Sequence, residues 1–256
     1  MTTVFAEPPV LCGHRGMGVG TVCEQVENTL GSFLAVLEAG LRWVEVDVRV
    51  TVDDVLVARH DPVLEDGRFV ADLPAEETDE LGLLRVADLL DALPADAGVD
   101  IEIKTSLEDA LRPRGRTTAA LVAGLLADAA NGRGVLVTSF DPAALVIVRE
   151  RAPKLALGLL TWLRYPLRKA IPAAVHLGVD VIAPHVSSFG VGAVPVARLE
   201  RPAARHVAVA HEAGLEVAAW CPTPAEAERL VADGVDCLIV DHSSPRTWVA
   251  AGRPAC

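Results

Sequence analysis

Apolar positions along the chain follow two alternating patterns. Short apolar runs bounded by Gly, Pro or Asp are typical of buried parallel strands, whereas longer stretches with apolar residues three or four positions apart indicate helices. Runs of the first kind begin near Val10, Trp43, Val99, Val135, Leu155, Asp180, Glu216 and Cys237. Because most of these runs lead into a helical stretch, the pattern predicts an α/β fold, specifically a TIM (β/α)8 barrel. A doubly wound open sheet is the alternative.

No repeat or interdomain linker divides the sequence, so we expect a single domain over residues 1–256. A short acidic insertion follows the second strand at about residues 65–83, and its first part, residues 65–80, is predicted to be a solvated loop. Asn28 or Thr29 is the expected N-cap of the first helix. A final short helix is expected near residues 245–251.

The second predicted strand carries two carboxylates in an otherwise apolar run. Glu45 and Asp47 are two positions apart, and successive strand residues point to opposite faces, so both lie on one face while Val44 and Val46 lie on the other. Burying two like charges side by side costs several kcal/mol unless a cation or a proton compensates. The arrangement therefore predicts a metal ion or a cationic partner.

The third predicted strand repeats this spacing with Glu102 and Lys104. In a barrel, three carboxylates would then converge at the C-terminal ends of two adjacent strands, where such folds carry their chemistry. Ligand sets made only of oxygen favour Mg²⁺ or Ca²⁺ over zinc. Taken alone, Glu102 and Lys104 fit an ion pair that fills the barrel equally well, and His14 fits a packing or loop histidine. Their joint occurrence at strand ends favours a metal-assisted enzyme.

The composition limits the binding partners and the cellular location that we expect for the protein. The net charge of −12 argues against nucleic-acid or anionic-membrane binding, which needs clustered Lys and Arg. The N-terminus lacks a signal-peptide pattern, and no apolar run is long enough to span a bilayer. The five cysteines are scattered without CxxC pairing, which predicts reduced thiols and a cytoplasmic protein. The oligomeric state is left open.

Polar residues at the strand ends carry a family resemblance that covers nearly the whole chain. The motifs, in order, are His14-Arg15-Gly16, Glu27-Asn28-Thr29, Glu45-Val46-Asp47 leading to His60-Asp61, Glu102-Ile103-Lys104, and Trp220 in the seventh strand. Together they resemble the glycerophosphodiester phosphodiesterase family. The Ser139-Phe140-Asp141 segment and the GVDCLIVDHSSP segment near the end are similar to the family as well.

This resemblance implies a phosphodiesterase on a TIM barrel that splits small-molecule glycerophosphodiesters into sn-glycerol 3-phosphate and an alcohol. By the same resemblance, Glu45, Asp47 and Glu102 would bind a divalent cation, Mg²⁺ or Ca²⁺. His14 and His60 would form the acid–base pair. Such roles fit the chemistry, because cleavage of an anionic diester needs charge neutralisation and protonation of a poor alkoxide leaving group.

Further roles follow from the resemblance, with some departures from the family pattern. Arg15 and Lys104 would hold phosphate oxygens, and Trp220 would contact glycerol, with a core aromatic as the alternative. Val26 replaces the proline that commonly precedes the Glu-Asn-Thr motif. Glu27 is therefore expected to support the site or cap the helix rather than bind the metal directly.

Two other functions stay open from the sequence. One keeps the same site but acts on a lysophospholipid or sphingolipid, as a lysophospholipase D does, and it predicts an apolar groove at the barrel mouth. The other is a catalytically silent barrel that binds a phosphorylated ligand. His185 and His242, which each follow a predicted strand, are weaker candidates for the barrel mouth.

Overall fold

The protein forms a closed barrel of parallel strands surrounded by helices. A computed structural model describes residues 3–129, 133–190 and 201–241. The strands are β1 Val10–Gly13, β2 Thr21–Val22, β3 Gln25–Val26, β4 Trp43–Val50, β5 Leu56–Ala58, β6 Gly98–Ile103, β7 Val135–Ser139, β8 Ala156–Thr161, β9 Val181–Pro184, β10 Glu216–Trp220 and β11 Cys237–Val240. The α-helices are α1 Leu30–Glu38, α2 Ala75–Glu80, α3 Val86–Ala92, α4 Thr118–Ala129, α5 Pro142–Arg151, α6 Leu167–Leu177, α7 Ala203–Glu212 and α8 Pro224–Ala232.

Strand order around the barrel follows chain order. β1, β4 and β6 to β11 are parallel neighbours, and β1 closes the ring by pairing with both β11, Val10 opposite Cys237, and β4, Cys12 opposite Trp43. β5 pairs antiparallel with the C-terminal part of β4, whereas β1 pairs only with the N-terminal part of β4. The predicted TIM barrel is therefore confirmed, and its strands begin within one residue of the predicted positions.

Alternation along the strands separates two cores. Val44, Val46 and Ile101 are buried in the large apolar cluster that the barrel shares with the surrounding helices. A smaller cluster, including Cys12 and Leu160, fills the barrel interior. Because Glu45, Asp47 and Glu102 alternate with the outward-facing residues, their side chains point into the barrel.

The acidic insertion is more ordered than predicted. The solvated-loop prediction for residues 65–80 is wrong, because this segment contains a 3₁₀ turn, Val70–Asp72, and the helix α2. Leu64, Val70 and Leu73 form a small apolar core with Val57. Charged residues between these positions obscured the apolar pattern.

Several remaining expectations have mixed outcomes. Thr29 is the N-cap of α1, and its Oγ1 accepts a hydrogen bond from Ser32 N at 3.3 Å.

Cys23 is disulfide-bonded, so the prediction that all thiols are reduced is wrong. The helix expected near residues 245–251 lies outside the described residues, and the single-domain assignment stays a prediction. None of the helices in the described ranges combines the length and the hydropathy that a membrane span needs.

Candidate active site

A cavity of about 500 Å³ opens at the C-terminal end of the barrel, between the loops that follow the strands. Its lining includes His14, Arg15, Glu45, His60, Asp100, Glu102, Lys104, Thr138, Phe140, Trp162, Trp220 and Cys221. A larger groove of about 1030 Å³ lies at the opposite end, near the starts of β8 and β10. That groove contains none of the candidate site residues, so the smaller cavity is the chemically distinctive one.

Three carboxylates meet inside the barrel at this end. β4 and β6 are in register, with Asp47 directly opposite Glu102, and Glu45 lies two residues earlier on β4. The residues Glu45, Asp47 and Glu102 are only 2%, 0% and 6% exposed. Each offers an oxygen, and these oxygens all lie within 4.8 Å of one another. The convergence expected from strand spacing is therefore present in the structure.

Two cations compensate part of this buried negative charge. Lys104 Nζ lies 3.0 Å from Asp47 Oδ1 and also contacts Glu102, while Arg15 Nε lies 3.3 Å from Asp47 Oδ2. Burial opposes ionisation of Asp47, but Lys104 and Arg15 outweigh it and lower the pKa of Asp47 to about 2. Burial and the neighbouring carboxylates raise the pKa of Glu45 well above its usual range. Burial also raises the pKa of Glu102, although Lys104 opposes this.

The carboxylate cluster fits a hard divalent cation. Glu45 Oε1 and Asp47 Oδ1 are buried and lack a hydrogen-bond partner within the described residues; the 3.0 Å approach of Lys104 to Asp47 Oδ1 is an ion pair without hydrogen-bond geometry. Buried polar atoms are normally paired, so these carboxylate oxygens, which lie close together without hydrogen-bond partners, suit a positively charged ligand. An all-oxygen set of this kind suits Mg²⁺ or Ca²⁺.

The loop after β1 is shaped to bring the Arg15 backbone to the cluster. Arg15 adopts a φ of 51°, and its N–H donates to Glu45 Oε2 at 2.8 Å. A side chain at Gly13 would not fit, because its Cβ would lie 2.5 Å from Gly16 O. The Arg15 guanidinium also donates to Glu27 Oε1 at 3.0 Å. Glu27 therefore holds Arg15 and does not belong to the carboxylate cluster.

Asn28, which the sequence analysis named as a possible helix cap and within the Glu27-Asn28-Thr29 motif but without a role at the site, contacts Asp47. Its Nδ2 donates to Asp47 Oδ2 at 2.8 Å, and its Oδ1 accepts from Asp47 N at 3.2 Å. The two bonds fix the Asp47 carboxylate against the loop. Its place in the Glu27-Asn28-Thr29 motif was the available signal.

His14 is buried and paired with Asp241, which comes directly after β11. His14 Nδ1 donates to Asp241 Oδ1 at 2.9 Å, while His14 Nε2 lies 4.0 Å from Glu45 Oε2. Burial favours the neutral ring, but these acidic neighbours outweigh it and raise the pKa of His14 well above its usual value. Asp241 was not singled out from the sequence, although a carboxylate at the end of a barrel strand was a usable signal.

His60 follows the β5 segment and lies in the same cavity, but its pKa is shifted in the direction opposite to that of His14. Its Nδ1 donates to Asp61 Oδ1 at 2.7 Å, which leaves Nε2 as an acceptor. Burial lowers the pKa of His60, and Lys104 and Arg15 add to this effect, against the attraction of Asp47. The two histidines thus have pKa values displaced in opposite directions.

An aromatic wall closes one side of the cavity. The Phe140 ring stacks on Trp162 at 4.3 Å and meets the Trp220 ring edge-on at 5.8 Å. His185 also packs against Trp220, with ring centroids 4.3 Å apart, so it supports the wall. Trp220 lines the cavity, as expected, whereas His242 lies outside the described residues.

Asp100 adds a fourth buried carboxyl below the cluster, on β6. It is 1% exposed and accepts a hydrogen bond from Thr138 Oγ1 at 2.8 Å. Burial raises the pKa of Asp100 to about 8, although the Thr138 bond opposes the rise. The sequence analysis missed Asp100, even though it shares the two-residue spacing of Glu102 and Lys104.

Comparison with known families agrees with this geometry. The model of the glycerophosphoryl diester phosphodiesterase family matches residues 14–244, which include His14 at the start and Asp241 near the end. The chain belongs to this family. As a family member it is a phosphoric diester hydrolase.

Solved structures show the same fold at low sequence identity. A phosphodiesterase of Oleispira antarctica, solved with the product sn-glycerol-3-phosphate, is 21% identical and superposes with a TM-score of 0.74 over 94% of this chain and 97% of its own. A glycerophosphodiester phosphodiesterase of Thermotoga maritima is 20% identical, with a TM-score of 0.70 over 94% of this chain and 98% of its own. No curated protein is similar enough to count as a match.

Proposed function

We propose that the protein is a metal-dependent glycerophosphodiester phosphodiesterase that uses His14 and His60 as its acid–base pair. One observation carries the proposal: Glu45 and Glu102, from a buried cluster of three carboxylates, line one cavity together with two histidines whose pKa values are displaced in opposite directions. The Oleispira relative, which holds sn-glycerol-3-phosphate, supports a glycerophosphodiester as the substrate class.

Glu45, Asp47 and Glu102 would hold the divalent cation. When bound, Mg²⁺ or Ca²⁺ supplies Lewis-acid polarisation of the phosphoryl oxygens and neutralises the charge that develops in the transition state. Asn28 keeps the Asp47 carboxylate in place for this role, and the Arg15 amide does the same for Glu45. Arg15 and Lys104 carry the remaining positive charge for the phosphate oxygens.

The opposite displacement of the two pKa values supports different roles for the histidines. His14, whose pKa is raised beside Asp241, carries the proton and is the general acid for the leaving alkoxide. His60, whose pKa is lowered, is neutral near pH 7 and is the general base for the attacking hydroxyl or water. The hydrogen bonds from both Nδ1 atoms to aspartates orient each ring with Nε2 as the reacting atom.

The direct test is release of glycerol 3-phosphate from sn-glycero-3-phosphocholine and sn-glycero-3-phosphoethanolamine. We expect turnover with Mg²⁺ or Ca²⁺ and none after EDTA treatment. His14→Ala and His60→Ala should each lower kcat by about 10²- to 10⁴-fold while the protein stays folded. His176→Ala is the matched control, because His176 is exposed on α6, away from the cavity. Absence of turnover with either metal would refute the proposal.

A lysophospholipid substrate is the second candidate, supported by apolar residues exposed at the barrel mouth. Trp162, Leu163 and Tyr165, in the loop after β8, are 63%, 60% and 38% exposed. Activity on lysophosphatidylcholine micelles that exceeds activity on sn-glycero-3-phosphocholine, and that falls in a Trp162→Ala/Leu163→Ala variant, would favour this substrate. A cytoplasmic location stays a prediction from cysteine spacing, and the disulfide at Cys23 counts against it.

A further inference from the structure

Cys221 lies beside the acid–base histidine and has no part in the proposed reaction. It follows Trp220 at the end of β10, and its backbone N–H donates to Ile239 O at 2.9 Å, which fixes its position against β11. The side chain lines the active-site cavity, and its Sγ lies 3.7 Å from His14 Nδ1. Cys12 and Cys237, by contrast, are 1% exposed within the barrel.

The Nδ1 atom of His14 lies close to two other side-chain atoms that can bind a metal ion. Nδ1 is 2.9 Å from Asp241 Oδ1 and 3.7 Å from Cys221 Sγ, and the three ligand atoms lie within 4.8 Å of one another. A tetrahedral zinc ion with Zn–N and Zn–O bonds of about 2.0–2.1 Å and a Zn–S bond of about 2.3 Å needs N–O and N–S separations of about 3.4 and 3.6 Å. The observed distances differ from these by about half an ångström or less, a shift that side-chain rotation can supply.

We propose that His14, Cys221 and Asp241 form a zinc site that inhibits the enzyme. The ligand set is one nitrogen, one sulfur and one oxygen, and these are donor types that zinc binds. The neighbouring cluster of Glu45, Asp47 and Glu102 contains only oxygen and suits a harder ion. The all-oxygen cluster therefore favours the harder ion that activates the enzyme, and the adjacent site with nitrogen and sulfur favours the inhibiting zinc.

Inhibition follows from the proton balance at His14. Zinc binding replaces the proton on Nδ1 and the thiol proton of Cys221, and both protons leave to solvent. His14 is then a metal-bound neutral imidazole that keeps only its Nε2 proton, which is far less acidic than that of the free imidazolium. His14 can no longer donate to the leaving alkoxide.

Co²⁺ is a spectroscopic probe that reports on the site without any assay of turnover. The protein is stripped with EDTA, desalted, saturated with Mg²⁺ to occupy the carboxylate cluster, and titrated with Co²⁺. We expect one equivalent of Co²⁺ to produce the near-ultraviolet charge-transfer band of a cobalt–thiolate bond, and Zn²⁺ to abolish it. Cys221→Ser should remove the band. Asp141→Asn, which removes a carboxylate from the cavity lining while keeping an oxygen to cap α5, should retain it.

Kinetics with Mg²⁺ provide the second measurement. The Zn²⁺ concentration for half inhibition should rise by at least about tenfold in Cys221→Ser, since a serine hydroxyl is a much weaker zinc ligand than a thiolate. Basal activity of that variant should stay close to that of the wild type. No band in the wild-type protein, a band that persists in Cys221→Ser, or unchanged Zn²⁺ inhibition in Cys221→Ser would each overturn the proposal. The Co²⁺ spectrum distinguishes this failure from failure of the proposed enzymatic function.

Discussion

Replacing Asp100 by Asn should stabilise the metal-free protein. Asp100 is buried below the carboxylate cluster, and its pKa of about 8 means that the folded protein holds it protonated at pH 7. In the unfolded chain the same carboxyl ionises with its ordinary pKa of 3.8. Asn has nearly the same shape, is neutral in both states, and keeps an oxygen that accepts the Thr138 hydrogen bond.

The pKa difference sets the size of the effect. Between 3.8 and pH 7, about three pH units at about 1.4 kcal/mol each correspond to roughly 4 kcal/mol of free energy of unfolding that the protonated Asp100 costs. In the Asn variant, incomplete hydrogen bonding of the amide N–H₂ costs about 1–3 kcal/mol, which offsets part of this gain in the free energy of unfolding. The net gain is about 1–3 kcal/mol, or about 2–4 °C in Tm per kcal/mol for a domain of this size.

The sign of the pH dependence provides the sharper assay. Because folding raises the pKa of Asp100, its contribution to stability is fully present below pH 3.8 and is lost as the pH rises towards 8. Urea denaturation in EDTA at several pH values should therefore give a difference between Asp100→Asn and wild type that grows from pH 4 to pH 8 and is then constant. Thr138→Val is the control that removes the hydrogen bond but not the titrating group. A variant that is less stable than wild type at pH 7, or a difference that does not change with pH, would refute the reasoning.

Three further predictions concern the site directly. Glu45→Gln should weaken Mg²⁺ or Ca²⁺ binding, measured by calorimetry, by at least about tenfold, because it removes one ligand charge while the shape is preserved. Glu27→Gln should raise KM by up to about tenfold and leave kcat nearly unchanged, since Arg15 loses one charge-assisted hydrogen bond but keeps its contact with Asp47. Asp241→Asn removes the carboxylate that raises the pKa of His14, so the high-pH limb of the activity profile should move to lower pH. An unmoved limb would mean that His14 is not the general acid.

Much of the fold was predictable because the alternation of residue types along a strand matches the alternation of its two faces. In β4 the outward valines and the inward carboxylates alternate strictly, so the sequence predicts both a strand and the face on which its chemistry lies. The acidic insertion was less predictable for the opposite reason. Leu64, Val70 and Leu73 are separated by charged residues, and only the folded chain shows that they share a small core with Val57.

Contacts between distant segments account for what the sequence could not predict at the site. Asp241 meets His14 only because β11 closes the barrel beside β1, at a sequence separation of 227 residues. Cys221 reaches the same histidine through the pairing of β10 with β11. Such contacts depend on barrel closure, whereas the spacing of Glu45 and Asp47 is local and was visible from the start.

Charge balance in the carboxylate cluster links the proposed metal to proton release. Burial and the neighbouring carboxylates raise the pKa of Glu45, and burial raises the pKa of Glu102, whereas Lys104 and Arg15 keep Asp47 ionised. Without a metal, the cluster therefore lowers its own charge by favouring the protonated forms of Glu45 and Glu102. A divalent cation needs deprotonated ligands, so the proposed metal would displace these protons when it binds. Its two positive charges would then lie beside Arg15 and Lys104, in the cavity where the anionic diester would bind.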